Sequence, residues 1–347
     1  MTRKTLIALA VSTTAIAPAA QAVEFKVGER TTFSISGTLE PSYEVVEVDP
    51  APGNGTTNDV ESQSEFTDND STLQLDGEHR WNDSSTGFFH IEYEWNFDEE
   101  NNSGVDDLDS AWIGIRGDLG MLRAGTSDTL YEDEVTEVLD RFENAELDNE
   151  ADGDDGTGEG DQVRYVTPDF GGFSGGVELK IQGDGEDEFG GDGVDAGESA
   201  TGVSAIVGYA GESWGVTAGF DDRGAAAVDR DGDGDLDRFV DETTAGVGAW
   251  LDVADFHFAA RVAAENNRGS NSDVDYAGLL GSYDYGPGSI NLAVQDVSPD
   301  TGRSRSQFAA NVMHDVFDNL RVFVEVGRFD RRADLDDRGE IGAIYTF

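Results

Sequence analysis

Six carboxylates crowd into twelve residues of this chain: Glu132, Asp133, Glu134, Glu137, Asp140 and Glu143. Between them stand Val135, Val138, Leu139 and Phe142, at the i, i+3, i+4, i+7 spacing of one helix face. A short amphipathic turn with an apolar anchor and an acidic side suits docking on an apolar surface with its charges held outward, as an ordinary surface helix would also do, and offers no nucleophile. With 73 Asp and Glu in the chain, a pair of neighbouring carboxylates is expected by chance and does not single out an acid–base dyad. A second constellation is Asp229, Asp231, Asp233 and Asp235, with Gly234 and Leu236. It matches positions 1, 3, 5, 6 and 8 of an EF-hand loop, yet Val240 stands where the bidentate Glu belongs, and no helices flank it. It reads as a weak Ca2+ site in an external loop or as a solvated acidic loop, and no other cofactor is implied. The four His (His79, His90, His257 and His314) have no ligand-like spacing, and the absence of Cys excludes disulfides, thiolate metal sites and Cys nucleophiles. No G-x-S-x-G, P-loop or H-E-x-x-H motif occurs, so no enzyme is expected.

The bulk charge points the same way. The 347 residues carry a formal charge of −51, and only Lys4, Lys26 and Lys180 are lysines. Such a chain repels nucleic acid and anionic lipid surfaces, and its Lys-poor acidity suits a high-salt habitat where exposed charges are screened. At the N-terminus, Arg3 and Lys4 precede a short apolar run over residues 6–17 and then Ala20-Gln21-Ala22, an A-x-A cleavage site. Residues 1–22 are therefore expected to be a Sec signal peptide cleaved after Ala22. The loss of Arg3 and Lys4 takes the charge from −51 to −53.

The elements that must position the acidic turn are strands. Phe89, Ile91, Tyr93, Trp95 and Phe97 alternate with His90, Glu92, Glu94 and Asn96, the period of a strand between an apolar and a polar medium. Similar segments recur from Thr31 to Phe347 and make sixteen candidate strands. Short turns at 82–87, 118–120, 168–172, 211–213, 254–255, 286–288 and 317–319 fall on one side of the strands. Long connectors fall on the other, among them about 49–70, 99–107, 183–199 and 223–241. Even strand number with short turns at one end and long loops at the other predicts a transmembrane antiparallel up-and-down β-barrel, from residue 23 to 347. Residues 130–160, which hold the acidic turn, are then the third long loop. Parity sends Arg80, Arg116, Arg123 and Arg164 into the lumen, where guanidinium groups stay charged and would face the loop acids. His90 shares the lumen face, while Trp81, Tyr93, Trp95, Tyr345 and Phe347 suit an interfacial girdle.

Three stretches resemble a known family. Residues 161–179, DQVRYVTPDFGGFSGGVEL, are similar to the strand–turn–strand that follows the constriction loop of general Gram-negative porins. Residues 119–132, LGMLRAGTSDTLYE, resemble the strand that enters that loop, and the terminal IGAIYTF resembles the aromatic strand, here with Tyr345 and Phe347, that the barrel-assembly machinery reads. The resemblance implies a sixteen-stranded homotrimer in outer-membrane lipid, with its third external loop folded inward to narrow the pore. It also implies passive diffusion of small hydrophilic solutes and ions. The loop lacks the PEFGG-like motif common in the family. The −53 charge points to a cation preference. Two rival readings are a solute-specific channel of the same fold and a secreted soluble calcium-binding β protein.

Overall fold

In the computed structural model, residues 22–48, 61–96, 104–145, 147, 160–182, 200–228, 238–267, 273–302, 304–329 and 337–347 are described. The strands are β1 (Val23–Val27), β2 (Thr31–Leu39), β3 (Pro41–Val48), β4 (Glu61–Asp68), β5 (Thr72–Asn82), β6 (Ser85–Asn96) and β7 (Gly104–Gly117). They continue with β8 (Gly120–Ser127), β9 (Gly160–Val166), β10 (Phe173–Gln182), β11 (Ala200–Ala210), β12 (Trp214–Val228) and β13 (Arg238–Val253). The last six are β14 (Phe256–Asn267), β15 (Val274–Asp284), β16 (Gly288–Pro299), β17 (Arg305–Phe317), β18 (Leu320–Phe329) and β19 (Arg338–Thr346).

From β5 to β19 each strand pairs antiparallel with the next. β2 and β3 form one stave and β4 and β5 the next, because β2 pairs with β5 while β3 pairs with β4. The last strand then closes the barrel on the first stave: Thr346 opposes Thr38 and Glu340 opposes Glu44. The result is the sixteen-stave closed sheet that alternation predicts, with no free edge. β1 lies against β2 in line with β19, since Val23 opposes Ile35 just past the point where Phe347 and Gly37 exchange backbone hydrogen bonds of 3.0 and 3.1 Å. The two ends of the described chain thus share one stave.

The first two staves are interrupted together. Asp70 has φ +57°, a left-handed conformation that Asp tolerates better than most residues, and the Asp68 carboxylate accepts the Ser71 N–H at 3.0 Å. Across the gap, Glu40 N–H donates to Ser71 Oγ at 2.9 Å. Several strands are longer than the sequence suggests. Residues 61–68, read as loop, are strand β4, because a stretch with one large apolar residue (Phe66) hides its alternation. The same holds at the start of β7 and at the facing ends of β12 and β13.

Three of the short turns are closed by Asx chemistry. Asp169 accepts from Gly171 and Gly172 N–H at 2.9 and 3.0 Å, Asn82 from Ser84 N–H at 2.8 Å, and Asp284 from Gly286 N–H at 2.8 Å. The wall has two unlike faces. Along β16, Ile290, Leu292 and Val294 are exposed, while Asn291, Ala293 and Gln295 between them are buried. The exposed apolar band continues through Phe258, Leu279, Phe308 and Val324, inside out relative to a water-soluble protein. Residues 229–237, with the aspartate constellation, lie outside the described residues, as does the proposed signal segment up to residue 21.

Candidate functional site

The chain leaves β8 at Ser127 and makes a single tight coil. Glu132–Thr136 is a π-helical turn and Glu137–Leu139 a 3-10 turn, after which Asp140 (ψ 121°) returns the backbone to extended form. The expected α-helix is thus replaced by one turn of each wider and tighter helix. The apolar stripe survives this change: Val135, Leu139 and Phe142 are buried, and half-buried Val138 and Trp250 pack on the same cluster. Their partners Ala259, Leu280, Ala293, Ala309 and Phe329 belong to β14–β18, on the face turned away from the exposed apolar band.

Polar contacts hold the segment at both ends. At the start, Glu178 of β10 accepts the Leu130 N–H at 3.4 Å and binds Arg164 Nε at 2.5 Å. Arg164 also donates to the Asp133 carboxylate and, at 2.5 Å, to the Asp128 carbonyl. In the middle, fully buried Arg261 donates to the Thr136 carbonyl at 3.1 Å and to Gln295 Oε1 at 2.6 Å. At the far end Glu325 of β18 accepts the N–H groups of Glu143 (3.0 Å), Asn144 (2.8 Å) and Ala145 (2.5 Å). Asn311 Nδ2 donates both to Glu325 (2.9 Å) and to the Arg141 carbonyl (2.7 Å). Asn144 donates to Glu340 at 3.0 Å and its carbonyl accepts from Arg338 at 2.9 Å.

The four arginines separate into two pairs. Arg123 and Arg164 meet the loop acids: Arg164 bonds Asp133, and Arg123 lies 3.9 Å from it while stacking over Trp112 at 4.2 Å. Arg80 and Arg116 do not. Arg116 pairs with Glu78 and lies over Phe88, and Arg80 reaches the Glu29 carbonyl at 3.5 Å. Both stand near the short turns, because parity defines a residue's face but not its height along the stave. On the same face His90 stacks on Trp112 at 4.2 Å and bonds Asp76 (2.7 Å) and Glu92 (3.3 Å).

Among the loop acids, Asp133 and Glu137 have carboxylate oxygens within 4.8 Å of each other and of Asp128. Glu132, Glu137 and Asp140 line a small crevice with Thr136 and Phe142. Burial pushes Glu134 up to about 8, with neighbouring Asp133 adding to the shift and Arg164 opposing it. Burial likewise raises Glu143 to about 8, reinforced by Glu40, Glu325 and Asp140. Asp140 moves up for the same reason, and burial moves the Arg141 guanidinium down. Burial thus favours the neutral form of Glu134 and Glu143, so the acidic side carries less charge than its sequence suggests.

On the short-turn side of the segment lies a cavity of about 730 Å³. Asp252, Asp255, Asp284 and Asp315 line it against Arg141 and Arg321, with Asn291 and the stacked rings of Trp250 and His257 between them. Glu178, Arg261, Asn311, Glu325 and Glu340, which hold the loop, were not singled out by sequence. Each lies on the buried phase of its strand, but nothing local indicates its partner more than a hundred residues away in most cases.

The Gram-negative porin family model matches residues 5–334. Two relatives, a "Monosaccharide porin" of Halomonas sp and a "Major outer membrane protein" of Halomonas elongata, are each 27% identical over 380 residues, covering 99% of this chain and 100% of theirs. Among solved structures, the anion-selective porin from Comamonas acidovorans superposes with a TM-score of 0.75 at 15% identity, covering 91% of this chain and all of that one. Salmonella typhi OmpF in complex with daunomycin gives 0.68 at 18% identity, with 94% of this chain and all of that one covered. The trimer form of OmpT from Vibrio cholerae gives 0.65 at 15%, covering 92% of this chain and all of that one.

Proposed function

Since the chain belongs to the Gram-negative porin family and is an outer-membrane β-barrel channel rather than an enzyme, we propose that it passes small hydrophilic solutes and ions passively, with residues 129–147 as its constriction. The observation that carries this reading is the set of contacts between that segment and the buried face of β10, β14, β15 and β18. A segment between the fifth and sixth staves that reaches Glu325 on the fifteenth narrows the space between them. Arg123 and Arg164 pair with Asp133 at the start of the segment, and Arg141 and Arg321 stand among the acids of the adjoining cavity, so charges of both signs line the passage and orient polar solutes.

The preferred ions are cations. Five aspartates and two glutamates against two arginines line the cavity on the short-turn side, and the net charge is −51 before any signal peptide is removed. Reversal potentials across a planar bilayer in a salt gradient test this; an anion preference refutes it. A monosaccharide is the first uncharged solute to try, because one relative is named a monosaccharide porin and the cavity offers ring faces with hydroxyl-binding Asn291 and carboxylates. Liposome swelling that a second sugar inhibits competitively would favour a solute-specific channel over a general one. The assembled form is a homotrimer delivered by the Sec route and the barrel-assembly machinery, with Tyr345 and Phe347 as the assembly signal and loss of residues 1–22. Heat-modifiable gel mobility and N-terminal sequencing check these points.

A further inference from the structure

The constriction segment rests on a strip of wall from which side chains are missing. A Cβ placed on Gly278 would overlap Leu139 Cδ1, and one on Gly246 would overlap Tyr131 Oη. At Gly219 a Cβ would lie 2.8 Å from Tyr131 Cδ2 and 2.9 Å from Val135 Cγ2, and at Gly248 3.1 Å from Val138 Cγ1. At Gly176 it would come within 2.7 Å of Leu130 Cδ2, and at Gly327 within 2.9 Å of Ala145 Cβ. None of the six has a positive φ, so backbone conformation does not call for glycine at any of them. Glycine in a strand interior weakens the strand and gives it nothing to pack. What the six share is the space they leave: residues 130–145 occupy it at Gly176, Gly219, Gly246, Gly248 and Gly278, and at Gly327 Ala145 shares it with the ring of Phe329.

The strip continues with small side chains where glycine stops. Ala259, Ala293 and Ala309 on β14, β16 and β17 are buried beneath Leu139 and Phe142. Elsewhere on the same face of the wall stand long residues such as Trp112 and Gln74, which pair with His90 and Glu92 of the wall itself. The strip therefore follows the path of the loop.

We propose that these glycines set the width of the pore: they determine how deeply the loop seats in the wall, and side-chain volume added there lifts it into the lumen. The inference rests on the reading of residues 129–147 as the constriction. Ordinary contact needs 3.4–4 Å, so a methyl at Gly219 already requires its neighbours to give way, and the isopropyl of valine at Gly278 displaces Leu139 itself. A well-packed contact cannot absorb that volume without movement, and the open side of the contact is the lumen.

The test is single-channel conductance in planar bilayers, with liposome swelling by sugars of graded size, on barrels shown to be folded by heat-modifiable mobility. Gly278→Val should lower the conductance by roughly 1.5-fold or more and reduce the largest sugar admitted. Adding Leu139→Ala to Gly278→Val should restore both, because it removes the group displaced. Gly281→Val, on the same strand but with nothing nearer than 3.8 Å to its Cβ, should leave both unchanged. If Gly278→Val does not fold, Gly278→Ala carries the same test with a smaller change in the same direction. Parental conductance and size limit in a folded Gly278→Val or Gly278→Ala barrel overturn the proposal. So does a loss that Leu139→Ala fails to reverse. If the unmodified protein forms no channels, the channel reading beneath the proposal falls first and separately.

Discussion

Removing Glu325 should detach the far end of the segment proposed as the constriction while leaving the barrel wall intact. Its carboxylate accepts three consecutive loop N–H groups, from Glu143, Asn144 and Ala145, and is itself held by Asn311. Hydrogen bonds to a charged group contribute about 1.5–3 kcal/mol each, so the three together amount to roughly 4–9 kcal/mol. Much of that is recovered in Glu325→Ala, because freed N–H groups at a water-filled lumen find water. A net loss on the order of 3 kcal/mol remains, which shifts the attached–detached equilibrium of the loop by about two powers of ten. Glu325→Gln keeps an acceptor of the same shape but without its charge, and neutral bonds are about half as strong, so its effect should be intermediate. The assay is single-channel recording, read for open-channel noise and brief closures, with limited proteolysis of the loop as a second readout. Both should rise in the order parent, Gln, Ala, while the temperature of barrel unfolding changes little, since no interstrand ladder is touched. Equal noise and equal protease resistance in parent and Glu325→Ala would show that the carboxylate does not hold the loop.

Three further outcomes follow. Glu134 and Glu143, both raised to about 8 by burial, bind protons in the folded loop that an exposed carboxylate would release near 4.5. Their contribution to loop stability is therefore most favourable below pH 4.5 and declines as pH rises towards 8, the sign expected for a raised acid. The two charges that appear above pH 8 should strengthen cation preference between pH 6 and pH 9 in reversal-potential measurements, and the Glu134→Gln, Glu143→Gln double variant should lose that dependence. Arg164→Met removes a buried cation from between Asp133 and Glu178, so it should raise cation preference and destabilise the start of the loop by about 3 kcal/mol or more, read by proteolysis. Deleting Phe347 removes the residue that exchanges two hydrogen bonds with Gly37 at the closing stave, and should reduce the heat-modifiable, folded fraction in the outer membrane several-fold.

Much of this architecture is legible in the amino acids because a barrel wall between lipid and water imposes a strict period of two. That period marks β6 without ambiguity, and the Asp- and Asn-bearing turns mark the short ends. It fails at β4, where polar residues occupy both phases and only Phe66 shows the outer face. The loop's apolar stripe is equally legible, because Val135, Val138, Leu139 and Phe142 must bury one side whatever helix they form. Its partners are not. Phase assigns Arg80, Arg116, Arg123 and Arg164 to one face, but the height of each along its stave decides which meets Asp133, and height depends on register around the closed sheet. Glu325 and Arg261 stand in plain alternation on β18 and β14, yet they meet the loop 182 and 125 residues away in sequence. The wall glycines had a trace in sequence too: they stand in the lumen phase of β10, β12, β13, β15 and β18, where a polar side chain is otherwise the rule.

A water-filled passage narrowed by residues 129–147 is the central proposal, and stepwise conductance of the purified, unboiled protein in a planar bilayer measures it directly. Discrete ohmic steps are expected, with a reversal potential of cation-preferring sign in a salt gradient and a step size that changes when the loop or its glycine seat is altered. Absence of steps, or steps indifferent to both loop and wall variants, would contradict it.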